Sequence, residues 1–545
     1  MGSERGGSLL LRGGRVIDGS GAPTQVADVA VRDGAVTDVG PGLLTPSGAA
    51  VVDVTGLVVA PGFIDLHTHC DFTLPQYPRA DSMVRQGVTT IVTGNCGSTP
   101  YPVDAGRAGL LRDSTAHLGS RLEWNWRDAA GYADMLDCLP LSLNVVMLVG
   151  HTSIRIAAMG FERRPPTEEE LAVMRRFVSD AMEQGCAGLS SGLIYSPGSY
   201  AEIAELVSLA TVAAERGGFY ATHMRNEGPA LLAAVEEALT IASSSGAGLQ
   251  LSHHKVLGRR NWGLTKRSLA RVAEAQAAGM DVLLDQYPYD ATSTTLTALL
   301  PTWMLEGGVA AMRDRLRDDQ IRAAARVEML DGPTDGRPKR DFEPETVTIA
   351  SIHSGRRDGF TGRNIADLAR AEGCEPVDLF LDLLRDEGGG IEVVIAAIGE
   401  DDIRRVMRNP SVAIASDGWT LSPEAGGTPH PRSYGTFARV LGHYSRDESV
   451  IPIEEAVRKM TSLPARRLGM TDRGCVRPGA RADLVVFDPS TVIDRATYEQ
   501  PHRFCGGVHH VFIDGTEVIR EGIDTGAMTG AVLRRQGEGF ARRGR

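Results

Sequence analysis

The 545-residue chain (58.2 kDa) is 42% hydrophobic and 23% charged, the balance of a globular protein long enough for roughly two to four structural units. A formal net charge of −12, a pI near 5.6 and the lack of a basic tract argue against nucleic acid as a partner. No apolar run approaches the ~18 residues of a membrane span, the N-terminus lacks a signal-like apolar core, and seven cysteines show no disulfide-framework spacing. The expectation is a cytoplasmic protein with reduced thiols, no membrane partner, and a monomeric or small homo-oligomeric state. The basic C-terminal residues Arg534, Arg535, Arg542 and Arg543 read as a solvated tail.

In chain order, residues 8–60 hold short β-prone runs, Leu9–Arg12, Gly14–Ile17, Val26–Val31, Ala35–Val39 and Val51–Val54, separated by Gly, Asp and Pro turns. The same texture returns in Asp483–Phe487, Val508–Ile513 and Glu517–Ile519, with Asp514-Gly515 as a hairpin signal. Residues 1–62 and 476–545 are therefore expected to pair into one small β-sandwich domain. Between them, 63–475 alternates apolar strands with Ala-, Leu-, Glu- and Arg-rich helical stretches. The strands are Phe63–His67, Thr89–Thr93, Asn144–Gly150, Ala187–Ser190, Phe219–Thr222, Gly248–Ser252, Asp281–Asp285 and Val412–Ser416. Helical stretches include Thr167–Gly185, where Thr167 and Glu170 have capping-box spacing, and Pro229–Ser244 and Thr265–Gly279. Eight strands alternating with helices predict an α/β fold, a (β/α)8 TIM-type barrel. The long stretch between strands seven and eight implies an insertion, 297–352, with a charged helical run Met312–Leu330. It is read as a lid over the site or a peripheral decoration.

A parallel barrel carries its chemistry at the carboxyl ends of its strands. Strand one ends in His67 and His69, whose i, i+2 spacing in an extended chain turns both imidazoles to one side. Strand two turns through Gly94-Asn95 to Cys96; strands five and six end in His223 and His253; strand eight ends in Asp417. Six residues of ligand type at equivalent ends point to a metal site. The remaining cysteines (Cys70, Cys138, Cys186, Cys374, Cys475 and Cys505) read as structural thiols, and Trp124 and Trp126 as packing residues.

His-x-His after strand one, single histidines after strands five and six and an aspartate after strand eight resemble the amidohydrolase superfamily. Binuclear members commonly bridge two metals with a carboxylated lysine after strand four. Cys186–Leu193 offers no lysine, and Cys96 can take that role as a thiolate. This substitution resembles the N-acyl-D-amino-acid deacylases, or D-aminoacylases. So do Gly87–Gly97, Ser252-His253-His254-Lys255, Asp285–Asp290, Ala415–Gly418, Pro429–Arg432, Lys459–Ala465 and Ala480–Pro489. The likeness spans nearly the whole chain and is weakest in the insertion.

The resemblance implies one tightly held Zn²⁺ on Cys96, His223 and His253, with His67, His69 and Asp417 forming a second, weaker site. Zinc lowers the pKa of its water from about 15.7 to roughly 7, so hydroxide is available to attack an amide at neutral pH. Asp417 would act as general base and then general acid. Lys255, Tyr287 and Ser293 are the expected contacts to a substrate carboxylate. His151, just after strand three, is a candidate for orienting a substrate oxygen, although Thr152 stands where the family has glycine. The implied activity is hydrolysis of N-acyl-D-amino acids, small-molecule substrates, to a carboxylate and a free D-amino acid. Alternatives are cleavage before a C-terminal D-residue in dipeptides, a cyclic-amide hydrolase of hydantoinase or dihydroorotase type, and, remotely, a non-catalytic scaffold. A taste for acidic side chains would need a further cation; Arg259, Arg260, Arg356 and Arg357 are available, and each is expected to be exposed.

Overall fold

Apolar segments with both faces covered favour parallel pairing, because each returning helix lays its own apolar stripe on the sheet. In the computed structural model, which describes residues 7–118, 122–333, 342–354, 357–537 and 539–542, such segments form two parallel sheets. Phe63–Asp65, Val88–Thr93 and Asn144–Met147 pair in that order. Val149–Gly150, Gly188–Gly192, Phe219–His223, Gly248–Leu251, Val282–Gln286 and Val412–Ile414 form the six-stranded sheet. Backbone bonds join the two at both margins. Leu148 N–H donates to Thr93 O at 3.0 Å; at the other margin Asp417 N–H donates to His67 O at 2.8 Å and His69 N–H to Gly418 O at 2.9 Å. The second link ties together the ends of the first and last strands, where candidate ligands stand.

Helices return the chain between these strands. Glu168–Glu183 begins as its spacing predicts: Glu170 N–H donates to Thr167 Oγ1 at 3.2 Å, and Thr167 N–H to Glu170 Oε2 at 2.7 Å. Leu231–Ser245 and Thr265–Ala277 follow, each burying one face. No helix among the described residues is long and apolar enough to cross a membrane.

Strands from both ends of the chain share one nine-stranded sheet. Its junction is the antiparallel pairing of Val58–Pro61 with Leu484–Phe487. Leu9–Val16 is one strand rather than two, because a register shift between Leu11 and Gly14 lets it bend without ending. Asp514 and Gly515 both have positive φ, 49° and 75°, which suits a tight hairpin.

The basic C-terminus is not a solvated tail. Leu533–Gln536 and Gly539–Arg542 form a hairpin, with Arg534 paired to Asp137 at 2.6 Å and Asp134 at 2.9 Å. Arg542 donates to Asn144 Oδ1 at 2.7 Å. Acidic partners on a neighbouring element, invisible in the local pattern, hold these arginines. Arg543 lies outside the described residues.

Between the seventh and eighth strands, Ala291–Thr295, Ile391–Ala396 and Val347–Ile352 build a separate antiparallel sheet with Ile391–Ala396 in the middle. Leu300, Phe380 and Leu384 sit in its own hydrophobic core. The helical run Met312–Leu330 divides into Val309–Arg315 and Asp319–Asp331, because the Asp318 carboxylate accepts from Gln320 and Ile321 N–H and starts a new helix.

Candidate metal and catalytic site

The ends of five parallel strands deliver a thiol, four imidazoles and a carboxylate to one buried place. Cys96 Sγ lies 3.4 Å from His67 Nε2, 3.4 Å from His253 Nε2 and 3.6 Å from His223 Nδ1. His69 Nε2 is 3.0 Å, and His67 Nε2 3.5 Å, from Asp417 Oδ1. His67 thus stands between the two groupings, 3.1 Å from Asp285 Oδ1 through its other nitrogen. Cys96, His253 and Asp417 all have positive φ (52°, 35° and 51°), an uncommon backbone state for residues with side chains. Such strain collects at functional sites, where surrounding structure holds a side chain in its working direction.

One carboxylate underlies two of the imidazoles. Glu227, four residues after His223, places Oε1 3.0 Å from His253 Nδ1 and Oε2 3.4 Å from His223 Nε2. Each ring therefore turns one nitrogen to Cys96 and the other to Glu227. Lys255 Nζ sits 2.7 Å from the same Oε1. Sequence reasoning missed Glu227; the i, i+4 spacing from a strand-end histidine was the available signal.

Burial pushes the Cys96 thiol up, but the neighbouring His67 and His253 charges outweigh it and hold the group well below its ordinary value. Asp417 behaves likewise: burial opposes ionisation, and the Arg432 guanidinium and His67 more than offset it. Arg432 Nη1 donates to Asp417 Oδ2 at 2.7 Å, leaving Oδ1 facing the histidines. Arg432 belongs to the Pro-His-Pro-Arg stretch already singled out, where no role was read for it. A buried thiolate with imidazole lone pairs around it is a donor set that fits a zinc ion.

Of the expected carboxylate contacts, Tyr287 is buried beneath the Arg432 guanidinium (4.8 Å from the ring centroid), with Lys255 5.6 Å away. Its hydroxyl makes no geometrically complete hydrogen bond among the described residues. Lys255 is engaged by Glu227, and Ser293 Oγ donates to Glu392 Oε1 at 2.6 Å. Burial raises the Glu392 carboxyl to about 7. The structure does not bring His151 into this cluster: its Nε2 lies 2.8 Å from Glu205 Oε1, and the ring is fully buried. Thr152 lines the site cavity instead.

That cavity, about 90 Å³, is lined by His69, Cys96, Ser293, Arg432 and others. A much wider basin, about 1390 Å³, adjoins it through Trp419 and is lined by Tyr77, Trp124 and Glu392. The larger space is not where the reactive groups converge. Trp126, as expected, packs, with Nε1 donating to Pro100 O at 2.7 Å, whereas Trp124 stacks on it and also faces the basin.

An α/β fold with a thiolate, imidazoles and an ionised carboxylate gathered at the carboxyl ends of parallel strands is the arrangement of a metal-dependent hydrolase. The Amidohydrolase family model matches residues 50–519. N-acyl-D-glutamate deacylase from Alcaligenes xylosoxydans xylosoxydans is 37% identical over 94% of this chain and 93% of its own length. The D-aminoacylase of the same organism is also 37% identical, over 97% of each. The crystal structure of N-acyl-D-glutamate deacylase from Bordetella bronchiseptica, complexed with zinc and a phosphonate mimic of the reaction's tetrahedral intermediate, superposes with a TM-score of 0.82. It is 34% identical and covers 98% of this chain and 100% of that one. The chain belongs to the amidohydrolase family.

Proposed function

We propose that this protein hydrolyses the amide bond of N-acyl-D-amino acids, releasing a carboxylate and a free D-amino acid, with zinc as its cofactor. The observation that carries the reading is the Cys96 thiolate ringed by His223 and His253 beside an Arg432-clamped Asp417. We assign Cys96, His223 and His253 to a tightly held zinc, and His67, His69 and Asp417 to a weaker second site. Zinc held there supplies a Lewis acid that polarises the amide carbonyl and makes hydroxide available near neutral pH.

Asp417 is the proton carrier. Arg432 fixes Oδ2, so Oδ1 is the oxygen that takes a proton from the attacking water and passes it to the departing amine. Its depressed pKa keeps it ionised, ready as a base, in the resting protein. The Tyr287 hydroxyl and Arg432 guanidinium, with Lys255 and Ser293 behind them, orient the substrate carboxylate. Margin links between the two parallel sheets support a closed eight-stranded barrel. Shared strands support a small β domain from 1–62 and 476–545 around the catalytic 63–475, with 297–352 lying in an insertion. Reduced, buried Cys96 suits the cytoplasm.

Dipeptide cleavage before a C-terminal D-residue uses the same groups and remains the second reading. Absence of a lysine in Gly188–Gly192 weighs against the cyclic-amide alternatives. The test is hydrolysis of paired D and L N-acetyl amino acids, with zinc quantified in the same preparation. Turnover of the D series by zinc-loaded protein is expected; zinc-replete protein inert on every D substrate refutes the proposal.

A further inference from the structure

A serine hydroxyl carries one proton, and that of Ser293 is already committed: Ser293 Oγ donates to Glu392 Oε1 at 2.6 Å. Ser293 lines the site cavity, while Glu392, only 3% exposed, borders the wide basin beside it. The antiparallel sheet of the excursion fixes the pair. Glu392 stands opposite Thr295 on one neighbouring strand and Ser351 on the other. Ser293, two residues before Thr295, is therefore its diagonal neighbour on the same face. Arg432 Nη2 donates to the Ser293 carbonyl at 3.4 Å, which ties down the backbone beside that hydroxyl.

A substrate carboxylate accepts hydrogen bonds and donates none. With Glu392 ionised, the Ser293 proton cannot serve both groups. Turning it to the substrate would leave a buried carboxylate without its donor and set two negative charges across one hydroxyl, and both effects are costly. A proton on Glu392 removes the conflict: the acid donates to Ser293 Oγ, and the serine proton is free to point into the cavity. We propose that Glu392 is a positioning residue for the substrate carboxylate, taking up one proton from water as substrate binds so that Ser293 becomes a donor, and returning it when product leaves. The inference rests on the deacylase reading above.

The surroundings of Glu392 suit this role. Burial pushes its carboxyl up to about 7, and the Ser293 and Ser351 hydroxyls and the Arg432 charge oppose that without prevailing. Among the described residues no cation pairs with it directly; Arg432 is held by Asp417 at 2.7 Å. The arginines singled out in the sequence do not neutralise it: Arg259 and Arg260 are exposed, Arg357 pairs with Asp386 at 2.9 Å, and Arg356 lies outside the described residues. The turn Ala116–Leu118 also packs on Ile391–Ala396 and brings His117, which desolvation lowers to about 3 and so keeps neutral. The turn Leu296–Leu299 packs there too and carries no ionisable group. His353, just past Val347–Ile352, places Nε2 2.7 Å from the His117 carbonyl and is the neighbouring titratable group that a test must separate from Glu392.

The test uses the full-length, zinc-loaded protein. KM for N-acetyl-D-leucine and N-acetyl-D-glutamate is expected to rise about tenfold or more from about pH 6 to pH 8.5, because the protonated form that binds is lost above about 7. Their α-carboxamides, measured as substrates or as competitive inhibitors, should show no such rise. Glu392→Gln, whose amide stays neutral at every pH, should flatten the rise, and His353→Gln should keep it. Calorimetry with free D-leucine and free D-glutamate near pH 8, in two buffers of different ionisation enthalpy, should show wild type taking up about one proton more than Glu392→Gln per ligand bound. A flat wild-type KM, or the same rise in Glu392→Gln, overturns the proposal while leaving the deacylase reading intact. If nothing is hydrolysed but the extra proton is taken up on binding, the Glu392 device holds and the reaction falls. Equal uptake by both proteins, or no binding, overturns the device. Should Glu392→Gln fail to fold, the wild-type contrast between carboxylate and carboxamide decides alone.

Discussion

Replacing Glu227 by glutamine tests whether one carboxylate sets the tautomers of two histidines that face Cys96. In the native arrangement Oε1 receives Lys255 at 2.7 Å and faces His253 Nδ1 at 3.0 Å, a nitrogen that Lys255 Nζ also approaches at 2.9 Å, while Oε2 lies 3.4 Å from His223 Nε2 without a geometrically complete hydrogen bond. A carboxylate presents no proton to any of the three; an amide has one accepting end and one donating end. If its oxygen stays with Lys255 and His253, its NH2 group meets His223 Nε2. His223 then either keeps a proton there against another donor or moves it to Nδ1, the nitrogen facing Cys96. The reverse orientation turns NH2 toward a buried ammonium, which is worse.

One unsatisfied buried donor costs about 1–3 kcal/mol, and loss of such an outer partner typically weakens metal binding about 10–100-fold. Glu227→Gln should therefore bind zinc about 10–100-fold more weakly than wild type, measured by competition with a chromogenic chelator of known affinity. Near-ultraviolet circular dichroism of the zinc-saturated variant should match wild type, which separates a tautomer effect from lost packing. Zinc affinity within twofold of wild type would refute the reasoning.

Asp417→Asn should keep the fold and most of the tight zinc yet lose turnover by orders of magnitude, because asparagine cannot carry the proton; near-normal kcat in a metal-replete variant would remove Asp417 from that role. Tyr287→Phe deletes a buried hydroxyl without a complete partner among the described residues, so KM should rise about 10–100-fold with little change in kcat. An unchanged KM would mean that the hydroxyl does not meet substrate. Glu392 has its carboxyl raised by burial from 4.5 to about 7, so the folded state holds its proton longer than the unfolded chain. Its contribution to stability is full below about pH 4.5 and declines as pH rises toward about 7. Glu392→Gln should flatten that slope in thermal-melting scans across the window, and parallel slopes would contradict it.

Local patterns carried much of the architecture. The Thr167/Glu170 spacing set a helix start because capping is satisfied within four residues, and the eight apolar runs mark parallel strands because period and length need no distant partner. The strand-end residues His67, His69, Cys96, His223, His253 and Asp417 were legible for the same reason: chemistry placed at strand ends is placed by the strand.

What depended on tertiary structure were the partners. His151 was a candidate for orienting a substrate oxygen from its place after strand three, but Glu205, on another helix, holds its ring. Arg534 and Arg542 looked like a tail until Asp137, Asp134 and Asn144 accepted them. Glu227 beneath His253 and Arg432 on the far oxygen of Asp417 arise from segments distant in sequence meeting in space. The sequence by itself determined the strands and the reactive groups at their ends. Only the tertiary structure decided which groups are clamped, neutralised or left facing the cavity, because charge, hydrogen bonding and burial act across distances that the order of residues does not record.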